Sequence, residues 1–290
     1  MIGIVVVVYK SFEDTVKFIT DEIPKIKETK KVVVVDNAAT LKESTKLANS
    51  CNAVLVNESD HIDKQESVFV ISEKDNLGYA RGNNVGAKFL NNNFDIDFLV
   101  FSNNDIQIIE KDVISKLITF LRDNEKIALA GPMIQEPAGA FHEGHTKTVT
   151  IYRRIGWNIL PFLRRKTKPD DKSQRSTIPY ECIWVSGCFF VIKNEAFKKV
   201  NGFDNGTFLY GEEIILSERL KQIGYKTYFF PGTTIIHAHS QTIGKTFNYY
   251  KMQELNMNSA VYYYKHYRKV PKLFLWLYEI SFRWSMRKFK

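Results

Sequence analysis

Cysteine is scarce. The three present, Cys51, Cys182 and Cys188, are too few and too irregularly spaced for a disulfide framework or a zinc cluster, and they suit a reducing cytoplasm. Long apolar runs are missing as well. The run Ile2 to Val8 lacks the basic region and cleavage site of a signal peptide and reads as a strand. The dinucleotide fingerprint GxGxxG does not occur: "NLGYARGNN", Asn76 to Asn84, has a different spacing and does not follow the first strand. A P-loop is also lacking, because "GKT" at Gly244 to Thr246 resembles its end while the required earlier glycine falls on His239. No internal repeat is evident. Negative charge is the minority, with 32 Asp and Glu against 41 Lys and Arg, a net +9. Such an excess favours an anionic partner: a phosphate-bearing ligand, a membrane surface or nucleic acid. The chain carries no recognisable nucleic-acid reading module, so no nucleic-acid partner is expected.

What the chain does contain is 44% hydrophobic residues over 290 positions, enough for one large α/β domain or two smaller ones. Ile2 to Val8 and Lys31 to Val35 are continuous β-branched runs flanking a helical segment, Glu13 to Lys27, which predicts a βαβ unit with strands covered on both faces. Further strands are expected at Val68 to Ile71, Phe98 to Phe101, Ile127 to Ala130, Lys226 to Phe230 and Thr234 to His237. Helices are expected at Ala80 to Leu90, Asp112 to Leu121, Glu195 to Val200 and from Glu212 onward. Alternation of this kind predicts an α/β fold with an open, mostly parallel sheet, whose ligands sit beyond the carboxyl ends of the strands. Polar residues gather there: Tyr9 and Lys10, Asp36 and Asn37, then Asn103, Asn104 and Asp105. Between Gly131 and Tyr180 the pattern fades into a basic stretch with Arg153, Arg154, Arg164, Arg165, Lys166 and Lys168, read as a variable region rather than a second core.

Four short stretches stand out, and each has a bland reading. In "SNND", Ser102 to Asp105, a carboxylate with amides at a strand end suits a hydrated divalent cation that shares phosphate oxygens, or else forms an Asx-rich turn. In "NLGYARGNN", glycines admit a ligand close to the backbone, the helix start attracts anions and Arg81 suits a phosphate; a structural turn is the alternative. In "IIHAHSQT", Ile235 to Thr242, strand alternation puts His237 and His239 on one face, either as metal ligands or as solvated side chains. The pair Glu212 and Glu213 in "FLYGEEIILSERL" serves the helix dipole in the bland reading.

Read in order, "IVVVVYKS", "VVVVDNAA", "NLGYARGNN", "SNND", "WVSGCFFVIKNEAFKKVNGFD", "FLYGEEIILSERL" and "IIHAHSQT" resemble the inverting glycosyltransferases of family 2, with the GT-A fold, and in particular their rhamnosyltransferase-type branch. The resemblance runs from Ile4 to about Thr242. It implies a nucleoside-diphosphate sugar as donor, TDP-rhamnose first and UDP-hexoses next, a Mg2+ or Mn2+ ion, and a saccharide or lipid-linked saccharide acceptor in bacterial surface polysaccharide assembly. It assigns Tyr9, Asp36 and Asn37 to the nucleoside, and Asn76, Gly78, Arg81 and Asn84 to the sugar-nucleotide pocket. Asn103, Asn104 and Asp105 match the DxD-type element, with Asp105 and His237 as metal ligands. Trp184, Ser186 and Gly187 fall on the acceptor side, Glu213 in place of the catalytic base, with Glu212 orienting the loop or binding acceptor. The helix start is expected to favour the ionised base. Two positions depart from the pattern: Asn103 replaces an acid and Glu213 an aspartate. The implied organisation is a GT-A domain over 1–245, with a nucleotide-sugar half (1–131), a variable basic segment (132–180) and an acceptor and catalytic half (181–245), followed by a helical tail over 246–290. A non-catalytic sugar-binding relative is the alternative, and a nucleic-acid-binding protein a more distant one.

From Val261 the tail sets eight Lys and Arg against the single acid Glu279, interleaved with Trp, Tyr and Phe. Its apolar core, Leu273 to Leu277, is far short of the ~20 residues of a spanning helix. Such a segment suits the anionic surface of a membrane, peripheral on the cytoplasmic face. Packing of the aromatics on the catalytic domain, or a homodimer contact, is the other reading.

Overall fold

The computed structural model describes residues 1–62, 65–163, 176–238 and 248–287. Its sheet is built from β1 (Ile2–Tyr9), β2 (Lys30–Asn37), β3 (Val54–Val56), β4 (Val68–Glu73), β5 (Phe98–Ser102), β6 (Ile106–Gln107), β7 (Ile127–Gln135), β8 (Phe141–His142), β9 (Tyr180–Cys182), β10 (Phe189–Lys193) and β11 (Lys226–His237). Helices α1 (Phe12–Lys17), α2 (Leu41–Ser50), α3 (Gly78–Asn93), α4 (Val113–Arg122), α5 (Ile151–Ile159), α6 (Asn194–Lys199), α7 (Glu212–Gln222), α8 (Tyr249–His266) and α9 (Lys272–Ser285) surround it.

The strand order is β3-β4-β2-β1-β5-β10-β7-β11-β6, with β8 on β7 and β9 on β11. From β3 to β5 every pairing is parallel. Val32 to Val35 and the β1 partners Ile4, Val5 and Val6 are buried, as unbroken β-branched runs covered on both faces require, and Val7 is half-buried. β10 then enters antiparallel between β5 and β7, so the second half of the sheet is mixed. One consequence matters for the site: the carboxyl end of β5 meets the beginning of β10.

Several elements differ from expectation. The segment Glu13 to Lys27 is a short α-helix that passes through a π-turn, Phe18–Glu22, into a 3-10 turn, Ile23–Lys25, where Pro24 removes a backbone donor. α2 was not anticipated, although Thr40 and Glu43 form a capping box at its start. The two strands expected at Lys226 to His237 are one strand with an irregular register between Phe230 and Thr234. The basic stretch 132–180 is not devoid of regular structure, because it contributes β8 and α5. Arg164, Arg165, Lys166 and Lys168, like the Gly244 to Thr246 stretch and His239, lie outside the described residues.

The C-terminal helices do not trail away. Met257, Tyr263 and Tyr264 of α8 and Leu275, Tyr278, Phe282 and Met286 in and just after α9 form a third buried cluster with Ile151 of α5 and Ile215 of α7. Polar clasps add to it. Ser259 Oγ donates to Leu209 O at 2.8 Å, and the hydroxyls of Tyr262 and Tyr267 both donate to Asp204. These bonds fix the loop that leads into α7. The same loop is gripped from the other side by α3, where Tyr79 N donates to Phe208 O at 3.0 Å. Gly78 makes that approach feasible: its φ is +74°, and a Cβ there would stand 2.1 Å from Phe208 O. Gly78→Ala is therefore expected to destabilise the fold by about 1–3 kcal/mol, read as a lower urea midpoint; an unchanged midpoint would show that α3 and the loop need not touch.

Candidate active site

α7 opens on a left-handed pair, Tyr210 (φ 75°) and Gly211 (φ 84°), which turns the chain so that Glu212 and Glu213 begin the helix. Successive helical residues point about 100° apart, so the two acids meet different surroundings. Glu213 Oε1 accepts from Gly187 N at 3.1 Å. A Cβ on residue 187 would sit 2.3 Å from that oxygen, so the glycine is what lets the carboxylate reach the backbone. Gly187 is held from its other side, since Tyr79 Oη donates to Gly187 O at 2.6 Å. Glu212 is 3% exposed, and its Oε1 has no hydrogen-bond partner among the described residues.

Burial pushes the pKa of Glu212 up to about 8, with the neighbouring Glu213 adding to the shift. Burial also raises Glu213, against backbone hydrogen bonds that favour its charge. The helix start, expected to favour the ionised base, is opposed here by burial, which raises both acids. We assign the pair's charge at neutral pH to Glu213, which has an N–H donor from Gly187, and the proton to Glu212, where burial and the charge of Glu213 outweigh the hydrogen bonds from its own N–H and Thr207.

Asp105 follows β5, and His237 ends β11. The antiparallel pairing of β6 with β11, His237 opposite Ile106, brings the two to 3.2 Å between His237 Nε2 and Asp105 Oδ1. Burial opposes charge on His237, but hydrogen bonds with Asp105 and Cys188 outweigh it and push its pKa up to about 10. Asn104 reaches the other way, donating to Thr15 Oγ1 at 2.8 Å and Ser11 Oγ at 3.1 Å. Asn103 N donates to Cys188 O at 2.8 Å, so the strand end is tied to the 186–188 segment that also holds Glu213. Ser186 Oγ lies 3.4 Å from Cys188 Sγ within that segment.

The remaining predicted residues fall into separate groups. Asp36 and Asn37 line a cleft of about 350 Å³ with Lys10, Ser11, Thr15 and Lys46. Ser44 Oγ donates to Asp36 Oδ2 at 2.8 Å, and burial raises the Asp36 pKa. Asn37 Nδ2 donates to Gly78 O at 3.3 Å. Tyr9 ends β1, with Lys10 Nζ 5.3 Å from its ring centre. Asn76 Oδ1 accepts from Gly78 N at 3.0 Å. Arg81 directs Nε and Nη2 to Asn205 O, both at 3.2 Å, while Asn84 clasps Phe203 and Asn205. These two side chains brace the approach to α7.

Trp184 stacks on His145, with ring centres 3.7 Å apart and an 8° interplanar angle. Both line a cleft of about 430 Å³ whose wall also includes Glu213, Arg154, Tyr263 and Tyr264. His145, Tyr79 and the α8 tyrosines were not singled out from the sequence. Tyr79 lies inside the quoted glycine-rich stretch, but a tyrosine at a helix start gives no sign of reaching a carbonyl 108 positions away.

The family profile described as glycosyl transferase family 2 matches residues 3–200. The chain belongs to this family. A second profile, described as the N-terminal domain of galactosyltransferase, matches residues 169–243. Among curated relatives of this family 2 chain, the rhamnosyltransferase WbbL of Escherichia coli K12 is 24% identical over 166 residues, 56% of this chain and 61% of the relative. The N-acetylglucosaminyl-diphospho-decaprenol L-rhamnosyltransferase of Mycobacterium tuberculosis H37Rv is 26% identical over 152 residues, 51% of this chain and 49% of that protein. The chain thus spans about three fifths of the first relative and about half of the second. Among solved structures, the mannosyltransferase PcManGT of Pyrobaculum calidifontis, in complex with GDP-Man and Mn2+, superposes with a TM-score of 0.57 at 12% identity, covering 98% of this chain and 69% of that one. GalNAc-T7 with UDP, GalNAc and Mn2+ gives 0.53 at 16%, covering 99% and 56%. This likeness identifies the fold as GT-A.

The buried acid pair sets a pH dependence in this family 2 chain. Glu212 has a folded pKa above its unfolded value, so its contribution is fully present below about pH 4.5. It is lost as pH rises toward about 8. The unfolding free energy from urea titration should therefore fall between pH 5 and pH 8, by at least about 1 kcal/mol, and Glu212→Gln should flatten the profile. A parallel decline in the variant would move the effect to another group.

Proposed function

We propose that this chain transfers a sugar from a nucleoside-diphosphate donor to a saccharide hydroxyl, with inversion at the anomeric carbon. The observation that carries the reading is Glu213, a carboxylate held by the Gly187 N–H at the wall of a cleft roomy enough for a sugar. The 186–188 segment links it to the Asp105–His237 pair. Glu213 would take the proton of the acceptor hydroxyl as that oxygen attacks from the face opposite the diphosphate. A carboxylate whose pKa is raised toward the working pH is a stronger base than a free one, and such help is worth typically about 10²–10⁴-fold. Glu212, keeping its proton, leaves Glu213 as the single charged acceptor of that proton.

Asp105 and His237 would hold the metal. A carboxylate and an imidazole 3.2 Å apart at two strand ends suit Mn2+ or Mg2+ that takes its remaining ligands from diphosphate and water. Among the described residues no group of three or more His, Cys, Asp or Glu is placed to hold a metal, although Cys188 lies within hydrogen-bond reach of His237. When bound, the cation neutralises charge growing on the departing diphosphate. Donor binding would use the Asp36–Asn37 cleft for the nucleoside. TDP-rhamnose is the first donor to test and UDP-hexoses the next, with a saccharide or lipid-linked acceptor from surface polysaccharide assembly.

The outer face of α9 supports attachment to a membrane surface. Leu273, Trp276, Ile280 and Trp284 recur at helical spacing and are all exposed, Trp276 by 56%, while Lys272, Arg283 and Arg287 flank them. Arg268 is not part of that face, since it pairs with Glu218 at 3.2 Å. The inner face packs on the domain, which leaves the outer face to support the membrane reading. Among the described residues no helix is long and apolar enough to cross a membrane.

Calorimetric titration with TDP, UDP, GDP and CDP, with and without Mn2+, should show metal-dependent binding of one of them. Glu213→Gln should keep that binding and lower turnover by at least about 10²-fold. Normal turnover would remove Glu213 as the base, and a folded protein that binds no nucleotide would favour a non-catalytic sugar-binding role. Trp276→Ala combined with Trp284→Ala should weaken sedimentation with vesicles rich in phosphatidylglycerol; equal sedimentation would place the membrane contact elsewhere.

A further inference from the structure

Arg154 lines the same cleft as Glu213. It is partly buried, yet among the described residues its hydrogen bonds reach only neutral oxygens: Nε donates to Tyr264 Oη at 3.1 Å and Nη1 to Tyr278 Oη at 3.5 Å, with Cζ 6.0 Å from the Tyr264 ring centre. No carboxylate pairs with it among the described residues. Tyrosine hydroxyls satisfy donors without supplying counter-charge, and a guanidinium drawn out of water favours an anion. A second cation, Lys147, lies exposed on the same wall with no partner among the described residues. The first turn of α5, just before Arg154, contains no acid that would offset either one. Glu213 is the single carboxylate among the described residues of the cleft lining. Positive charge therefore gathers on the wall formed by the 145–154 stretch, while the aromatic rings of Tyr263 and Tyr264 close the α8 side.

We infer that Arg154 and Lys147 form an anion subsite of the acceptor cleft, which takes a phosphate or carboxylate group carried by the saccharide whose hydroxyl faces Glu213. The inference rests on the transferase reading and specifies its acceptor: a charged sugar or a sugar phosphate, in preference to a neutral glycoside. The two tyrosines orient the guanidinium, leaving its remaining N–H groups for the ligand. A purely structural Arg154, tying α5 to α8 and α9, would make no use of Lys147. That difference gives the test its leverage.

Three probes separate the cases by calorimetry in EDTA, which silences a metal-dependent donor site: geranyl diphosphate, octyl glucuronide and, as the neutral control, octyl glucoside below its micelle threshold. At least one anionic probe should bind the wild-type chain, and Lys147→Ala and Arg154→Gln should each weaken it by about tenfold or more, with the neutral glycoside indifferent to both. Binding of the diphosphate alone identifies a phosphoryl group, and of the glucuronide alone a carboxylate. Failure of both anionic probes, or binding that neither variant changes, overturns the subsite. Should Arg154→Gln fail to fold, Lys147→Ala decides, because that side chain is exposed. Nucleoside diphosphate binding with Mn2+, measured on the same preparations, reports the donor site separately. Its loss in the wild-type chain would sink the transferase reading, whereas its persistence beside a failed anion titration would sink the subsite alone.

Discussion

A carboxylate oxygen resting on a glycine amide organises this protein. The contact between Glu213 and Gly187 joins α7 to the segment entering β10, and it tolerates no side chain at residue 187. Around it the neighbours lock in sequence. Tyr79 of α3 holds the carbonyl of Gly187, and the next residue back, Gly78, presses on the carbonyl of Phe208. From the opposite side α8 fastens Leu209 through Ser259 and Asp204 through two tyrosine hydroxyls. The loop 204–211 is thus clamped by two helices that are distant in sequence, and its exit in left-handed backbone aims both acids. Removing any one clamp leaves the helix start free to move, and the position of Glu213 would go with it.

The same crowding sets the electrostatics. Two adjacent carboxyl groups withdrawn from water cannot both be charged without a counter-ion close by, and hydrogen bonding decides which one is. Only Glu213 receives the Gly187 amide. At the other end of the 186–188 segment the logic is reversed, because Asp105 favours positive charge on His237 against the pull of burial. Under the proposed function, a divalent cation there would replace the His237 proton and take the pair from net neutral to net positive. In the proposed reaction the segment would separate the group that accepts the proton from the pair that faces the departing diphosphate.

Much of this was legible beforehand, and the reasons differ from element to element. The parallel half of the sheet shows through because strands buried on both faces leave unbroken β-branched runs such as Val32 to Val35. Asp105 and His237 were separately visible at strand ends, but their 3.2 Å approach depends on β6 pairing with β11, a two-residue strand no pattern announces. The capping box of α2 was readable in Thr40 and Glu43, and the π and 3-10 turns after α1 have a partial cue in Pro24. α5 left little trace, since its apolar residues Ile151 and Ile155 acquire meaning only once α9 lies against them. Tertiary packing made a helix of a stretch whose composition read as a variable basic segment. Tyr79 escaped for a similar reason, its partner being chosen by the fold rather than by spacing.

The C-terminal helices tie these strands together. One layer, made of α5, α8 and α9, has two faces with opposite tasks. Inward, Arg154, Tyr263 and Tyr264 wall the cleft beside Glu213. Outward, Trp276, Ile280 and Trp284 stand in solvent among cations. An acceptor sugar attached through phosphate to a lipid would match both faces at once, with its tail against the apolar stripe, its anionic group on Arg154 and Lys147, and its hydroxyl at the carboxylate. A soluble neutral acceptor would leave the outer stripe and the inner cations without a purpose. These two faces of one helical layer are what the proposal of a charged, surface-bound acceptor rests on.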